Sequence, residues 1–217
     1  MYAYAVNNPL AFTDPDGRDA IAVKFGNGAM GLGHAGVASL HHDGKGKFAD
    51  FGPVHRGHFH DKGQYTFQDI SVTYGSDGRP THDSLVALAN QLADAEQQPR
   101  DSVEVAYFKT SDAETAALDT YIQNAINLQN QGKAPDYWAS GTNCIVFCMG
   151  GMNAAGINIF DPNQLSVIPN HQLMYLWLRA QETAQGTGKK KEDPEEDKKP
   201  PHPRHLIPRG NGDADDN

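Results

Sequence analysis

The stretch Thr142-Asn143-Cys144-Ile145-Val146-Phe147-Cys148-Met149-Gly150-Gly151-Met152-Asn153-Ala154-Ala155-Gly156 decides how the chain is read. Asn143 stands where a helix N-cap is expected and Gly156 where a helix stops, so a helix is predicted from Asn143 or Cys144 to Gly156. That places Cys144 in the first turn, where unpaired backbone N–H groups and the helix dipole favour a thiolate. Cys148, one turn on among Val146, Phe147 and Met149, reads instead as a small core residue. A thiolate nucleophile needs a base. Gly33-His34-Ala35-Gly36-Val37-Ala38 offers one, a glycine-flanked histidine at the head of a predicted strand.

Outward from these two segments, strand patterns occupy the first half and helix patterns the second. Asp19–Phe25, His34–Leu40, Lys47–Phe51, Tyr65–Thr73 and Val103–Phe108 alternate or are rich in β-branched and aromatic residues. The turn residues of His41–Gly46 connect two of them as a hairpin. Ser84–Gln97 carries Leu85, Leu88, Ala89 and Leu92 on one helical face. Ser111-x-x-Glu114 is a capping box opening a helix to about Gln131, with Ala117, Leu118, Tyr121, Ile122, Ala125, Ile126 and Leu128 as its buried stripe. A further helix is expected from Asn170 to about Gln181. The fold class that follows is α+β, an antiparallel sheet packed against helices.

With 217 residues, 38% of them hydrophobic, the chain has material for one domain with a full core. The expected boundaries are a segment 1–18, a domain 19–182 and a charged, proline-rich tail 183–217 with too few apolar residues to offset chain entropy. The net charge of −9 argues against a nucleic-acid partner, whose binding rests on Lys and Arg neutralising phosphate. No apolar run reaches the length of a membrane span, and the N-terminus lacks the basic and apolar regions of a signal peptide. Two cysteines four residues apart make no disulfide framework.

Two resemblances add to this. Tyr2-x-Tyr4-x-x-Asn7-Asn8-Pro9-x-x-Phe12-x-Asp14-Pro15-x-Gly17 resembles the closing signature of the RHS/YD-repeat core, the shell that encloses exchangeable payloads in polymorphic toxins. It implies an upstream RHS shell, delivery by a signal-peptide-independent, type VI-like route, action in a target cell, and a cognate immunity protein in the producer. The −9 charge makes that partner's contacting surface at least locally basic. The second spans about residues 20 to 160. Gly33-His34-Ala-Gly-Val-Ala, Asp50-Phe51-Gly52-Pro53 and Asn143-Cys144-x-x-Phe147 resemble the circularly permuted branch of the NlpC-type papain-like superfamily, which includes lecithin:retinol acyltransferase-like enzymes and bacterial amidases. That resemblance implies Cys144 as nucleophile and His34 as base, with a third polar residue on a neighbouring strand to orient the imidazole. Asp50 is the first choice, with His41 and His55 behind it, and a one-residue slip of the hairpin would turn Asp50 away.

The implied activity is cysteine-dependent hydrolysis of an amide, in a peptidoglycan stem peptide or a protein, with acyl transfer or deamidation as variants on the same fold. No cofactor or metal is called for. The rival reading is a metal-dependent nuclease using His55, His58, His60 and Asp61, although their spacing fits no standard ligand pattern. A third is a non-enzymatic delivery domain in which the Cys144 helix is core. The match of Gly31-x-Gly33-x-x-Gly36 to a dinucleotide fingerprint is accidental, since a strand follows it where a helix is required.

Overall fold

The computed structural model describes residues 18–28, 33–157 and 185–187. The segment 1–17, the helix expected over 170–181 and nearly all of the tail lie outside the described residues. Seven strands form one sheet: β1 (Arg18–Phe25), β2 (His34–Leu40), β3 (Lys45–Pro53), β4 (His60–Ser71), β5 (Val103–Thr110), β6 (Asp136–Trp138) and β7 (Gln185–Thr187). Their order is β6-β4-β3-β2-β1-β5-β7, and every pairing is antiparallel.

Alternation of side chains across the pleat gives the sheet two unlike faces. One presents small residues, Ala20, Ala22, Ala35, Val37, Ala49 and Ala106, to α2 (Asp112–Asn130) and α3 (Cys144–Ala154). Small side chains let α3 lie close, and a Cβ on its Gly151 would stand 2.7 Å from Val37. The other face presents Ile21, Val23, Phe25, Leu40, Phe48 and Tyr107 to Leu85, Leu88, Ala89 and Leu92 of α1 (His82–Ala95). Helices therefore cover both faces. Truncating a fully buried leucine such as Leu88 or Leu118 should cost about 2–5 kcal/mol.

The helix ends follow their caps. Thr81 Oγ1 accepts from Ser84 N at 3.3 Å and starts α1 two residues before the expected Ser84. The capping box of α2 forms in both directions, Ser111 N donating to Glu114 Oε2 at 2.7 Å and Glu114 N to Ser111 Oγ at 3.4 Å. Its buried stripe is narrower than expected. Leu118, Ile122 and Ala125 are buried together with Thr115, whereas Ala117 and Leu128 face solvent.

Three strands depart from the sequence reading, β6 having no counterpart in it at all. β4 begins at His60, five residues before the expected Tyr65, because its first turn pairs with β6: His60 faces Trp138 and Asp61 faces Tyr137. Gln185–Thr187, inside the segment expected to be structureless, pairs with Glu104–Ala106 as β7. Backbone pairing to an open sheet edge requires no apolar side chain, so composition gives no sign of it.

Candidate active site

The hairpin register fixes what the sequence leaves open. Gly36 of β2 faces Asp50 of β3, and Asp50 in turn faces Thr66 of β4. His34 stands two residues before Gly36, so His34, Asp50 and Thr66 share one face at one end of the sheet. His34 Nε2 lies 3.3 Å from Asp50 Oδ2, while Thr66 donates its hydroxyl to Asp50 Oδ1 at 2.6 Å. No donor is aligned on Oδ2 for a hydrogen bond, so the contact with His34 is one of charge at close range. Asp50 is buried, its side chain 3% exposed against 18% for His34.

Local backbone clears the space around the imidazole. Gly33 takes φ +91°, a left-handed conformation that lets the chain turn into β2. A Cβ on Gly28 would lie 2.5 Å from His34 Cβ, so only glycine fits beside it.

The partner thiol comes from α3. Asn143 is the N-cap: its Oδ1 accepts from Val146 N at 3.0 Å, its Nδ2 donates to Ala139 O at 2.7 Å, and its side chain is buried. Cys144 is thus the first residue of an eleven-residue helix, close enough to His34 to influence its charge. Burial alone would push His34 down, but the nearby Cys144 and Asp50 outweigh it and raise His34 well above the usual histidine range. The site therefore favours the charged form of the His34 imidazole. Cys148, one turn later, donates its S–H to Gly36 O at 3.2 Å, and burial pushes its thiol far up. It is a core thiol.

His34, Asp50, Thr66, Asn143 and Cys144 line a cavity of about 720 Å³. Its walls add residues that the sequence reading missed. Tyr137 of β6 packs against Phe51, ring centroids 5.8 Å apart, and burial followed by the charge of Cys144 pushes its phenol up to about 12, so it stays a neutral donor. Glu96, at the end of α1, is raised by burial and by Asp50. Arg56 donates to Glu96 O at 3.0 Å and reaches Glu96 Oε2 at 3.4 Å. A three-residue strand and a helix C-terminus carry no periodic signal by which Tyr137 or Glu96 could be singled out.

The fallback and rival residues are elsewhere or otherwise engaged. His41 lies at the far end of β2, 3.6 Å from Asp119 of α2, and takes no part. His55 is held by Asp61, with Nδ1 to Oδ2 at 3.0 Å and backbone N to the same oxygen at 2.7 Å. His55 and His58 rings are 5.5 Å apart, and His60 opens β4. Among the described residues no three His, Cys, Asp or Glu side chains converge to hold a metal ion. No helix among them is long and apolar enough to cross a membrane.

No protein-family model matches the chain, and no curated protein matches it by sequence. Among solved structures the chain is similar to the crystal structure of the type VI secretion system effector TseH, with 20% sequence identity and a TM-score of 0.60 over 76% of this chain and 90% of TseH. At that identity the likeness is one of fold, an α+β domain with an antiparallel sheet.

Proposed function

We propose that the chain is an antibacterial effector whose domain hydrolyses an amide bond through Cys144. The observation that carries this reading is the convergence of His34, Asp50 and the helix-terminal Cys144 on one cavity. The effector context rests on the fold shared with TseH and on the resemblance of the first residues to the end of an RHS core, which would make residues 1–18 the remnant of a shell and residues 19–182 the payload. The order of the two reactive residues in the chain, histidine first, fits the permuted papain-like branch.

In this mechanism the Cys144 thiolate attacks the carbonyl carbon and the electron pair moves to the carbonyl oxygen. The backbone N–H of Cys144, free at the helix start, and the neutral Tyr137 hydroxyl are the donors for that oxyanion. His34 gives its proton to the departing nitrogen as the C–N bond breaks, leaving a thioester and a free amine. Water then attacks the thioester, His34 takes its proton, and the acid leaves with Cys144 restored. Asp50, fixed by Thr66, holds the imidazole and favours its charged form.

Peptidoglycan stem peptides and protein amides are the two substrate classes. Expression in the cytosol and, separately, with export to the periplasm tells them apart. Killing confined to the periplasm assigns the cell wall, and killing confined to the cytosol excludes it. Undiminished killing by Cys144→Ala in both compartments would sink the mechanism. An effector of this kind requires a cognate immunity protein in its producer.

A further inference from the structure

Glycines interrupt the three strands that build the catalytic face, and packing explains all but one of them. β2, β3 and β4 contain Gly36, Gly46, Gly52 and Gly63. A Cβ on Gly36 would collide with the Phe48 ring, one on Gly46 with the Ser39 carbonyl oxygen, and one on Gly63 with the Pro135 carbonyl oxygen and the Phe51 ring. Gly52 has no such neighbour. A Cβ there would meet only His34 Cε1, at 3.8 Å, an ordinary van der Waals distance. Nor is Gly52 among the glycines with a positive φ. A glycine weakens a strand, and where neither packing nor φ asks for one it marks a place where something else comes close to the backbone.

The space over Gly52 belongs to the catalytic cavity. Gly52 faces Gln64 in the β3–β4 pairing, and Gln64 stands two residues before Thr66, so its side chain shares the face of His34, Asp50 and Thr66. Both Gly52 and Gln64 line the cavity. His34 leans over Gly52 from one side and Gln64 flanks it on the other, so the missing side chain leaves a slot in the floor. Its walls rise from β2 and β4, two strand spacings or about 9–10 Å apart, which admits one extended chain between them. Thr66 is engaged with Asp50, but the Gln64 carboxamide has no hydrogen-bond partner among the described residues. A free carboxamide offers an acceptor and two donors, the complement of the N–H and C=O of a peptide main chain.

We infer that Gln64 is a specificity-determining residue, which holds a main-chain amide of the substrate in the slot over Gly52, on the leaving-amine side of the scissile bond. The side follows from His34, because the imidazole that gives its proton to the departing nitrogen overhangs the same glycine. The substrate is accordingly a peptide that continues past the cleaved bond. A side-chain carboxamide releases only ammonia and a lipid ester only an alcohol, and neither leaving group has an amide to seat against Gln64. The inference rests on the cysteine-hydrolase reading and narrows its substrate.

The probes are chloroacetamide and chloroacetyl-alanyl-alaninamide, the latter made with L- and with D-alanine, each alkylating Cys144 of the full chain and followed by mass spectrometry. In both the thiolate displaces chloride from the same carbon, and only the second carries main-chain amides beyond it. The same reagents on glutathione give the intrinsic ratio of rates. After that correction the wild type should prefer the peptide probe of one hand by about 10-fold or more. Gln64→Ala should remove about 10-fold of the preference, through a weaker KI at unchanged kinact, as loss of a binding contact predicts. Gly52→Ala, whose Cβ fits beside His34 Cε1 but fills the slot floor, should lower the preference as well. Leu128→Ala, exposed on α2, should leave it as it is. No preference in the wild type, a preference that survives both Gln64→Ala and Gly52→Ala, or a loss confined to kinact overturns the slot. Cys144 alkylated by chloroacetamide no faster than glutathione overturns the reading of Cys144 as nucleophile, and the ratio still reports on the slot.

Discussion

The sheet buries one carboxylate towards each end, and the two have different uses. Asp50 lies against a charged imidazole and a threonine hydroxyl at the floor of a cavity. Asp19, beside Leu40 at the other end of β2, lies against phenols: Tyr74 donates to its Oδ2 at 2.7 Å, and the buried Tyr107 stands beside it. Burial raises Asp19 above the usual carboxylate range, and the hydrogen bonds only partly offset it. A buried carboxylate with neutral donors is a structural cost. The same group with an adjacent cation and an open cavity becomes part of a reactive centre. Cys148 and Cys144 differ in the same way: one is sealed between α3 and β2, and the other stands at the helix start with a base beside it.

The largest expected effect is at the reactive end. Under the proposed mechanism, Cys144→Ala and His34→Ala should each abolish killing and lower amide hydrolysis by about 10³-fold or more, because nucleophile and base would act as one unit. Circular dichroism should show both variants folded. Cys148→Ala should keep most of the activity and lose only about 1–2 kcal/mol of stability to denaturant, the cost of a small buried side chain and one weak hydrogen bond.

A smaller effect is expected at Asp50. Asp50→Asn keeps an oxygen for Thr66 but removes the negative charge that helps hold His34 above its usual range. Activity should fall about 10- to 100-fold. The alkaline limb of the pH–rate profile should move to lower pH, because the imidazolium is then lost at a lower pH. An unchanged limb with a uniformly lower rate would assign Asp50 a packing role only.

Asp19 provides the converse, and the smallest effect. A carboxyl whose folded pKa is raised stabilises the fold at low pH and loses that contribution as pH rises through the folded value. Asp19→Asn should therefore raise Tm at neutral pH by about 2–4 °C, the shift that ~1 kcal/mol makes in a chain of this size, and should flatten the dependence of Tm on pH. A lower Tm at neutral pH would mean that the ionised carboxylate is the form that Tyr74 and Tyr107 stabilise.

Much of the reactive end is legible in the sequence because local rules govern it. Asn143 caps its helix by side-chain chemistry, and the glycines beside His34 mark close approach. Asp50 is legible only as a candidate, since its face depends on the hairpin register, and pairing of Gly36 with Asp50 is a property of the assembled sheet. Tyr137, Glu96 and β7 are not legible at all. β6 and β7 are three residues each, too short for a period, and Glu96 reaches the cavity only because α1 covers the second face of the sheet. That covering is a packing outcome, and the amphipathic pattern of α1 leaves open which face it takes. The exposed Ala117 and Leu128 of α2 are the reverse error, since an apolar residue at helical spacing is buried only where the sheet beneath extends far enough to meet it.

The most direct measurement is the alkylation rate of each cysteine by iodoacetamide at pH 6.5, followed site by site by mass spectrometry on the folded protein. An ordinary thiol is about 1% ionised at that pH. If Cys144 attacks as a thiolate, as the proposed mechanism requires, it should react on the order of 100-fold faster than a free thiol, lose that advantage in His34→Ala, and leave Cys148 unlabelled until the chain is unfolded. Cys144 reacting no faster than a free thiol, with His34→Ala indistinguishable from wild type, would contradict the assignment of a catalytic pair.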